Sequence, residues 1–304
     1  MSRFDVVGFG ALNVDKLFKV NKLAKAEEES FIEDYAEACG GSAANTMVAL
    51  ARLGCKVGYI GKVGCGREGD LLIQDFCNEG VNTDGVIRAE QGKSGVVMGF
   101  VDKKGARALY VDPGVNDNVN LREVKSRYAA QAQFLHLTSF VGDESFYTQK
   151  KLLDTIPPST KVSFDPGTLY ARKGYAALET ILRKTCVLMP NALELTLLTG
   201  EIDYCKGADI MIGRGIKIVA VKLGGDGCYV TDGRERHRIE AFKVDAVDTT
   251  GAGDAFCAGF LYGLVNGKNL SECGKLGNFV ASRCVTKMGA RAGLPVAEDL
   301  ELLG

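Results

Sequence analysis

Six short apolar runs punctuate this 304-residue chain: FDVVGF (4–9), KVGYIGKV (56–63), FLHLTS (134–139), KVSFD (161–165), VLMP (187–190) and KIVAVKL (217–223). Runs of this length without strict polar alternation suit strands buried on both faces, and their separation by helical patterns is the βαβ rhythm of a parallel sheet. The intervening segments read as helices over roughly 43–53, 67–79, 121–131, 145–155, 171–184, 191–199 and 205–213. The expected fold class is therefore α/β: a three-layer, doubly wound, mainly parallel sheet with ligands at its strand ends. With no long linker, low-complexity tract or internal repeat, residues 1–304 read as one domain.

Two stretches, at about 16–38 and 94–112, break the rhythm. The second, GVVMGFVDKKGARALYVD (95–112), alternates like a β-hairpin, with Lys103, Lys104 and Gly105 as its turn. Together they predict a small sheet inserted beside the core as a lid, whose exposed strands are the expected contact of a homodimer.

Composition narrows the partners. With 37 basic and 38 acidic residues the net charge is −1, which favours neither nucleic acid nor a membrane surface. The N-terminal apolar run is too short for a signal peptide and no stretch approaches spanning length, so a soluble, cytoplasmic protein is expected. The ten cysteines include no Cys-x-x-Cys pair and there are two histidines, a pattern of free thiols in a reducing compartment and not of disulfides or zinc.

The segment Asp248-Thr-Thr-Gly-Ala-Gly-Asp254 precedes an apolar helical pattern that runs to about residue 266. Gly251, Ala252 and Gly253 leave backbone amides open at a helix N-terminus, where unsatisfied N–H groups and the helix dipole favour an anion such as a phosphoryl group. Asp254 follows in the first turn, where a carboxylate either caps the helix or takes the proton of an attacking hydroxyl. After the first strand, Asn13 and Asp15 pair an amide with a carboxylate, a combination that forms turns or binds vicinal hydroxyls.

These motifs, DTTGAGDAFCAGF (248–260) above all, resemble the C-terminal signature of the ribokinase (PfkB) family of sugar and nucleoside kinases, and GGSAANTMVALARLG (40–54) resembles its N-terminal one. Asn191-Ala-Leu-Glu194 resembles the family's N-x-x-E motif and Lys222-Leu-Gly224-Gly225-Asp-Gly227 its nucleotide-binding strand-turn, so the resemblance spans nearly the whole chain. It implies an ATP-dependent kinase with Asp254 as base and the amides of Gly251, Ala252 and Gly253 as anion hole. It also implies a sugar site at Asn13, Asp15, Gly41 and Asn45, and an ATP site including Asn191, Lys222, Gly224, Gly225, Gly227 and Asn278, with Gly277 and Ala281 beside the adenine. Glu194 would organise Mg²⁺ through water; Asn191 and Glu194 also read as a capping box, and both roles are compatible. Asp248 and Thr250, with carbonyls around Thr286 to Gly293, match a monovalent-cation (K⁺) site, although Gly293 stands where a side-chain oxygen is often supplied.

Rival readings fare worse. Gly8-x-Gly10 opens a dinucleotide fingerprint, but Asn13 replaces its third glycine. No P-loop motif occurs, and a non-catalytic regulator would be expected to lose the base that GAGD retains. Ribokinases carry a lysine and a glutamate where this chain has Ser42 and about Thr138. The acceptor is accordingly read as a sugar or sugar-like molecule phosphorylated at a primary hydroxymethyl group, with a nucleoside second.

Overall fold

The computed structural model describes residues 3–103 and 106–303, so Lys104 and Gly105 of the expected turn lie outside the described residues. Numbered along the chain, the strands are β1 (Phe4–Phe9), β2 (Asn13–Val20), β3 (Ile32–Gly40), β4 (Val57–Val63), β5 (Val86–Arg88), β6 (Gly95–Val101), β7 (Arg107–Asp112), β8 (Ala132–Leu137), β9 (Lys161–Phe164), β10 (Thr185–Leu188), β11 (Ile218–Lys222), β12 (Cys228–Thr231) and β13 (Arg236–Ile239). Nine form one sheet in the order β13-β12-β11-β10-β9-β8-β1-β4-β5, parallel from β11 through β5, with β12 and β13 added antiparallel at one edge. The chain order reverses at β1, which lies between β4 and β8, and a crevice for ligands opens beyond the carboxyl end of such a strand.

Helices cover both faces. Val6 of β1 joins a core built with Met47, Phe256 and Phe260, whereas Val7 and Phe9 join the opposite core with Leu152, Leu178 and Leu195. The Gly8-x-Gly10 pair serves this packing. A Cβ at Gly8 would lie 2.7 Å from Met47 and one at Gly10 2.8 Å from Ala43, so both glycines let the helix Ser42–Arg52 lie directly on β1. On the same face, helices Ala252–Val265 and Leu270–Cys284 approach so closely at Gly259 that a Cβ there would collide with the Leu276 carbonyl.

The four-stranded lid has the order β3-β2-β6-β7, with β2 and β6 parallel and the outer pairs antiparallel. Alternation sorts its side chains. Leu17, Val97, Val101 and Leu109 face the cleft against the main sheet, whereas on the other side Phe18 stacks on Phe100 at 5.0 Å and meets Tyr35 in a tilted pair at 5.0 Å. Phe31, Ile32, Tyr35, Met98 and Tyr110 are exposed.

Two expected helices are shorter than their patterns. Over 121–131 only Ser126–Ala129 is helical, because Asn120 accepts the Arg122 amide and holds a turn, while Glu123 is drawn to Lys62 at 2.7 Å. The 171–184 pattern becomes Gly167–Ala171 and Gly174–Leu182, broken where Gly174 adopts φ 77°. All ten cysteines are free, and no helix among the described residues is long and apolar enough to cross a membrane.

Replacing Gly259 by Val should force the last two long helices apart. Overpacking of this kind costs about 1–3 kcal/mol, so urea unfolding should show a lower midpoint with an unchanged slope.

Candidate active site

Residues from both ends of the chain meet in a cleft of about 1350 Å³ between the lid and the carboxyl ends of the parallel strands. Asn13, Asp15, Gly41, Asn45, Asp248, Thr250, Gly251, Gly253 and Asp254 all line it, as does Ser42. Thr138 is buried under Gly10 and is not among the lining residues.

Helix N-termini bring the central groups together. Gly251 caps helix Ala252–Val265 at φ 77°, and Gly41 caps helix Ser42–Arg52 at φ 110°, backbone conformations that suit glycine. A side chain at Gly41 would also collide with the Ala11 carbonyl. From the two first turns, Asn45 Nδ2 donates to Asp254 Oδ2 at 2.8 Å, and Thr46 Oγ1 donates to the Asp254 carbonyl at 3.2 Å. The Ala252 amide is occupied by the Thr249 carbonyl at 3.2 Å, whereas those of Gly251 and Gly253 make no hydrogen bond among the described residues.

Burial pushes the Asp254 carboxyl up to about 7, against the lowering effects of the Asn45 hydrogen bond and of Lys222 and Arg291. A helix N-terminus favours a carboxylate by about 0.3–1 kcal/mol, up to about 2 when partly buried, so desolvation outweighs the dipole here. Burial likewise raises Asp15 to about 6, with Arg291 opposing. Asp15 lies against Gly40, where a Cβ would collide with its carboxylate. Asn13 Oδ1 accepts from Asn116 Nδ2 at 2.9 Å, and Asn116 also holds the Leu12 amide at 3.0 Å and its carbonyl at 2.8 Å.

Lys222, at the end of β11, lies at the junction with a second pocket, of about 500 Å³, lined by Asn191, Gly224, Tyr204 and Asp226 among others. Its Nζ is 2.5 Å from Asp165 Oδ2 and 3.4 Å from where a Cβ on Gly253 would stand. Burial works against this ammonium, but Asp165, Cys257 and Glu194 reverse that effect and the net shift is upward. Asn191 caps helix Ala192–Thr199 in a full capping box: Glu194 N donates to Asn191 Oδ1 at 2.8 Å and Asn191 N to Glu194 Oε2 at 2.9 Å. Burial and neighbouring Asp165 raise the Glu194 carboxyl. Gly224 (φ 60°) and Gly225 face open space, whereas Gly227 (φ 85°) packs against the Ile239–Ala241 backbone. Asn278 donates to the Ile239 and Glu240 carbonyls at 3.1 and 3.0 Å and so holds that same segment.

Burial opposes ionisation of Asp248, but hydrogen bonds from Thr250 and Gly289 outweigh it and hold its carboxyl below the usual range. The Cys284 thiol lies 3.6 Å from the Thr250 carbonyl and 3.3 Å from that of Ala290. A Cβ at Gly293 would come within 2.5 Å of the Arg283 and Cys284 carbonyls, so this position supplies no side chain.

Three contributors carry no motif. Asp165 follows the apolar strand β9 at its carboxyl end, a position that marks ligand-facing residues in parallel sheets. Asn116 and Arg291 act across 104 and 246 residues respectively, and nothing local signals them.

A carboxyl made more basic by burial beside open amides at a helix N-terminus is an arrangement that phosphoryl transfer can use, and comparison with known proteins gives the class as a phosphotransferase with an alcohol group as acceptor. The family follows from comparison with known proteins, since the model for the pfkB family carbohydrate kinases matches residues 3–297 and the chain belongs to that family. It is 49% identical over 255 residues to an uncharacterized sugar kinase of Archaeoglobus fulgidus, covering 83% of this chain and all of that protein. It is 34% identical to an ATP-dependent ribose-1-phosphate kinase of Halopiger xanaduensis, covering 96% of this chain and 95% of that one. Among solved structures, ribokinase from Thermotoga maritima superposes with a TM-score of 0.88 at 28% identity, over 98% of both chains.

The raised Asp254 carboxyl has a stability consequence. A carboxyl whose folded value lies above its unfolded one favours folding below the unfolded value, and that contribution is lost as pH rises through the folded value, here between about 4 and about 7. The margin by which Asp254→Asn melts above the native protein should therefore be clearly larger at pH 8 than at pH 5, as calorimetry at the two pH values will show.

Proposed function

We propose that this protein transfers the γ-phosphate of ATP to a primary hydroxymethyl group of a sugar or sugar-like molecule. The observation that carries this reading is that Asp254 opens, beside the free amides of Gly251 and Gly253, onto the same cleft as Asn13 and Asp15. In this mechanism Asn13, Asp15, Gly41 and Asn45 position the acceptor and Asp254 Oδ1 accepts the proton of its hydroxyl. The amides of Gly251, Ala252 and Gly253, with Lys222 beneath them, carry the negative charge of the transferred group. The Ala252 amide would give up its bond to Thr249 in doing so.

Asn191, Lys222, Gly224 and Gly225 border the nucleotide, while Gly227 and Asn278 support its wall. The buried carboxylate of Glu194 fits a Mg²⁺ ion that keeps most of its waters, and no cluster of three metal-ligating acidic, His or Cys side chains occurs among the described residues. When bound, Mg²⁺ would offset phosphate charge. Asp248 and the carbonyls of Thr250 and Ala290 would supply oxygen ligands to a K⁺ ion, the carbonyls giving up their contacts with the Cys284 thiol. Closing of the lid strands, within about 16–38 and 94–112, would exclude water from the reacting groups.

A sugar is preferred to a nucleoside because the cleft-facing lid side chains Leu17, Val97, Val101 and Leu109 are aliphatic, while the rings that could stack on a base lie on the outer face. That exposed apolar outer face supports a homodimer formed through the lid. Light scattering should give twice the chain mass, and Tyr110→Lys should lower it to one.

The deciding experiment measures ADP release from Mg-ATP with ribose, ribose 1-phosphate, fructose, 2-keto-3-deoxygluconate, adenosine and cytidine. We expect turnover with a sugar or sugar phosphate, reduced at least about 100-fold in Asp254→Asn. Asp15→Ala should raise KM for the acceptor without moving KM for ATP. Turnover confined to nucleosides would install the second reading, and near-native turnover of Asp254→Asn would remove the assigned base.

A further inference from the structure

Arg291 lies after the last long helix, in the Thr286–Gly293 stretch of which only the carbonyls entered a motif, and its side chain is buried at 9% exposure. Its Nε donates to Asn45 Oδ1 at 2.8 Å, and its Nη1 pairs with Asp75 of helix Arg67–Asn78. Its carbonyl accepts from Arg52 Nη1 at 2.7 Å, and Arg52 is itself gripped by Glu79 at 2.6 and 2.8 Å. The remaining nitrogen, Nη2, is buried without a hydrogen bond among the described residues.

The chemistry of this chain of contacts is directional. The two ends of an asparagine amide are nearly equal in shape but opposite in hydrogen bonding, and a guanidinium only donates. With Arg291 Nε on Asn45 Oδ1, the Nδ2 end must face Asp254. A flipped amide would set donor against donor at Arg291 and oxygen against carboxylate at Asp254. Asp254 Oδ2 is thereby fixed on Asn45, and Oδ1 is left for a proton.

The charged and titratable groups around Asp254 come from several elements: Asp165 after β9, Lys222 on β11, Tyr59 on β4, Cys257 on its own helix, Cys284 on the last helix, and Arg291. Lys222 and Arg291 are the two cations of this set, and Lys222 is committed to Asp165. Arg291 also acts on Asp15, so one guanidinium biases both Asp15 and Asp254.

We infer that Arg291 is a positioning residue of the phosphotransfer reaction, orienting the Asp254 carboxyl group through Asn45; this rests on the reading of Asp254 as the base. It touches neither reactant.

The test compares native protein, Arg291→Gln, Arg291→Lys and Asp254→Asn from pH 5.5 to 9, with turnover normalised to active sites counted in a single-turnover burst. Misplacing a catalytic group by about 1 Å costs on the order of 100-fold, so Arg291→Gln should lose about 10- to 100-fold in normalised kcat with KM for ATP unchanged. Its acidic limb should move to higher pH. Arg291→Lys keeps the charge but cannot bridge Asn45 and Asp75, so its limb should return toward the native position while normalised kcat stays at least about tenfold down. A structural arginine would lower Tm and the count of active sites only. Normalised kcat within twofold of native in either folded variant, or an unmoved limb in Arg291→Gln, overturns the inference; if Arg291→Gln does not fold, Arg291→Lys decides through kcat alone. Native-like turnover of Asp254→Asn would instead overturn the assignment of the base, and this inference with it.

Discussion

The hydrogen bond from Asn45 to Asp254 joins residues 209 positions apart, and the architecture of the site follows from it. It requires the first turns of two helices to meet over the carboxyl end of β1, and that requires both helices to lie on the same face of the sheet with small residues at their contacts. Gly8, Gly10 and Ala43 allow one helix to approach the sheet; Gly259 and Gly277 allow the other to nest on its neighbour. Glycine caps with positive φ then turn the incoming chain away from the junction, so the space above it remains a cleft.

Electrostatically the same junction is expensive. Two carboxyl groups, Asp15 and Asp254, are held where water is scarce, and burial makes both more basic than ordinary aspartates. The protein offsets this with cations that are themselves buried and paired, Lys222 with Asp165 and Arg291 with Asp75. Each pair leaves its cation close enough to act on Asp254. The result is a carboxyl poised near neutrality, able both to accept a proton and to release it, which a fully solvated aspartate would do poorly at the same pH.

Much of this was legible in the sequence because the signals were local. Buried parallel strands show as uninterrupted apolar runs, a helix N-terminus with open amides shows as Gly-x-Gly before an apolar helical pattern, and the small sheet shows as alternation. The antiparallel strands β12 and β13 were not anticipated: they are only four residues each, and the exposed β13 reads Arg-His-Arg-Ile, without a continuous apolar signal. The expected helix at 171–184 was split because one glycine with positive φ overrode a continuous helical pattern. Arg291, Asn116 and Asp165 escaped for a different reason. Their partners are set by topology, and an arginine in a C-terminal loop has the same local appearance whether it is solvated or packed against an asparagine near residue 45. Lys222 illustrates the reverse: a lysine at a strand end suggests solvation, yet its side chain is only 13% exposed, drawn in by Asp165, which follows β9 two strands across the sheet.

The Asn116 side chain, clamped on both the amide and the carbonyl of Leu12 and on Asn13, bears on how the lid can move. Only Gly10, Ala11 and Leu12 separate β1 from β2, and this clamp fastens the root of β2 to the floor of the crevice. Gly95, the first residue of β6, is packed so tightly against Asn13 and Asn116 that no larger residue fits. The small sheet is thus anchored as a bracket is, by its root, which is keyed into the crevice floor through Asn116. Asn13 and Asp15 lie at this anchored end, so in the proposed reaction they would meet the hydroxyls of an acceptor from a fixed position.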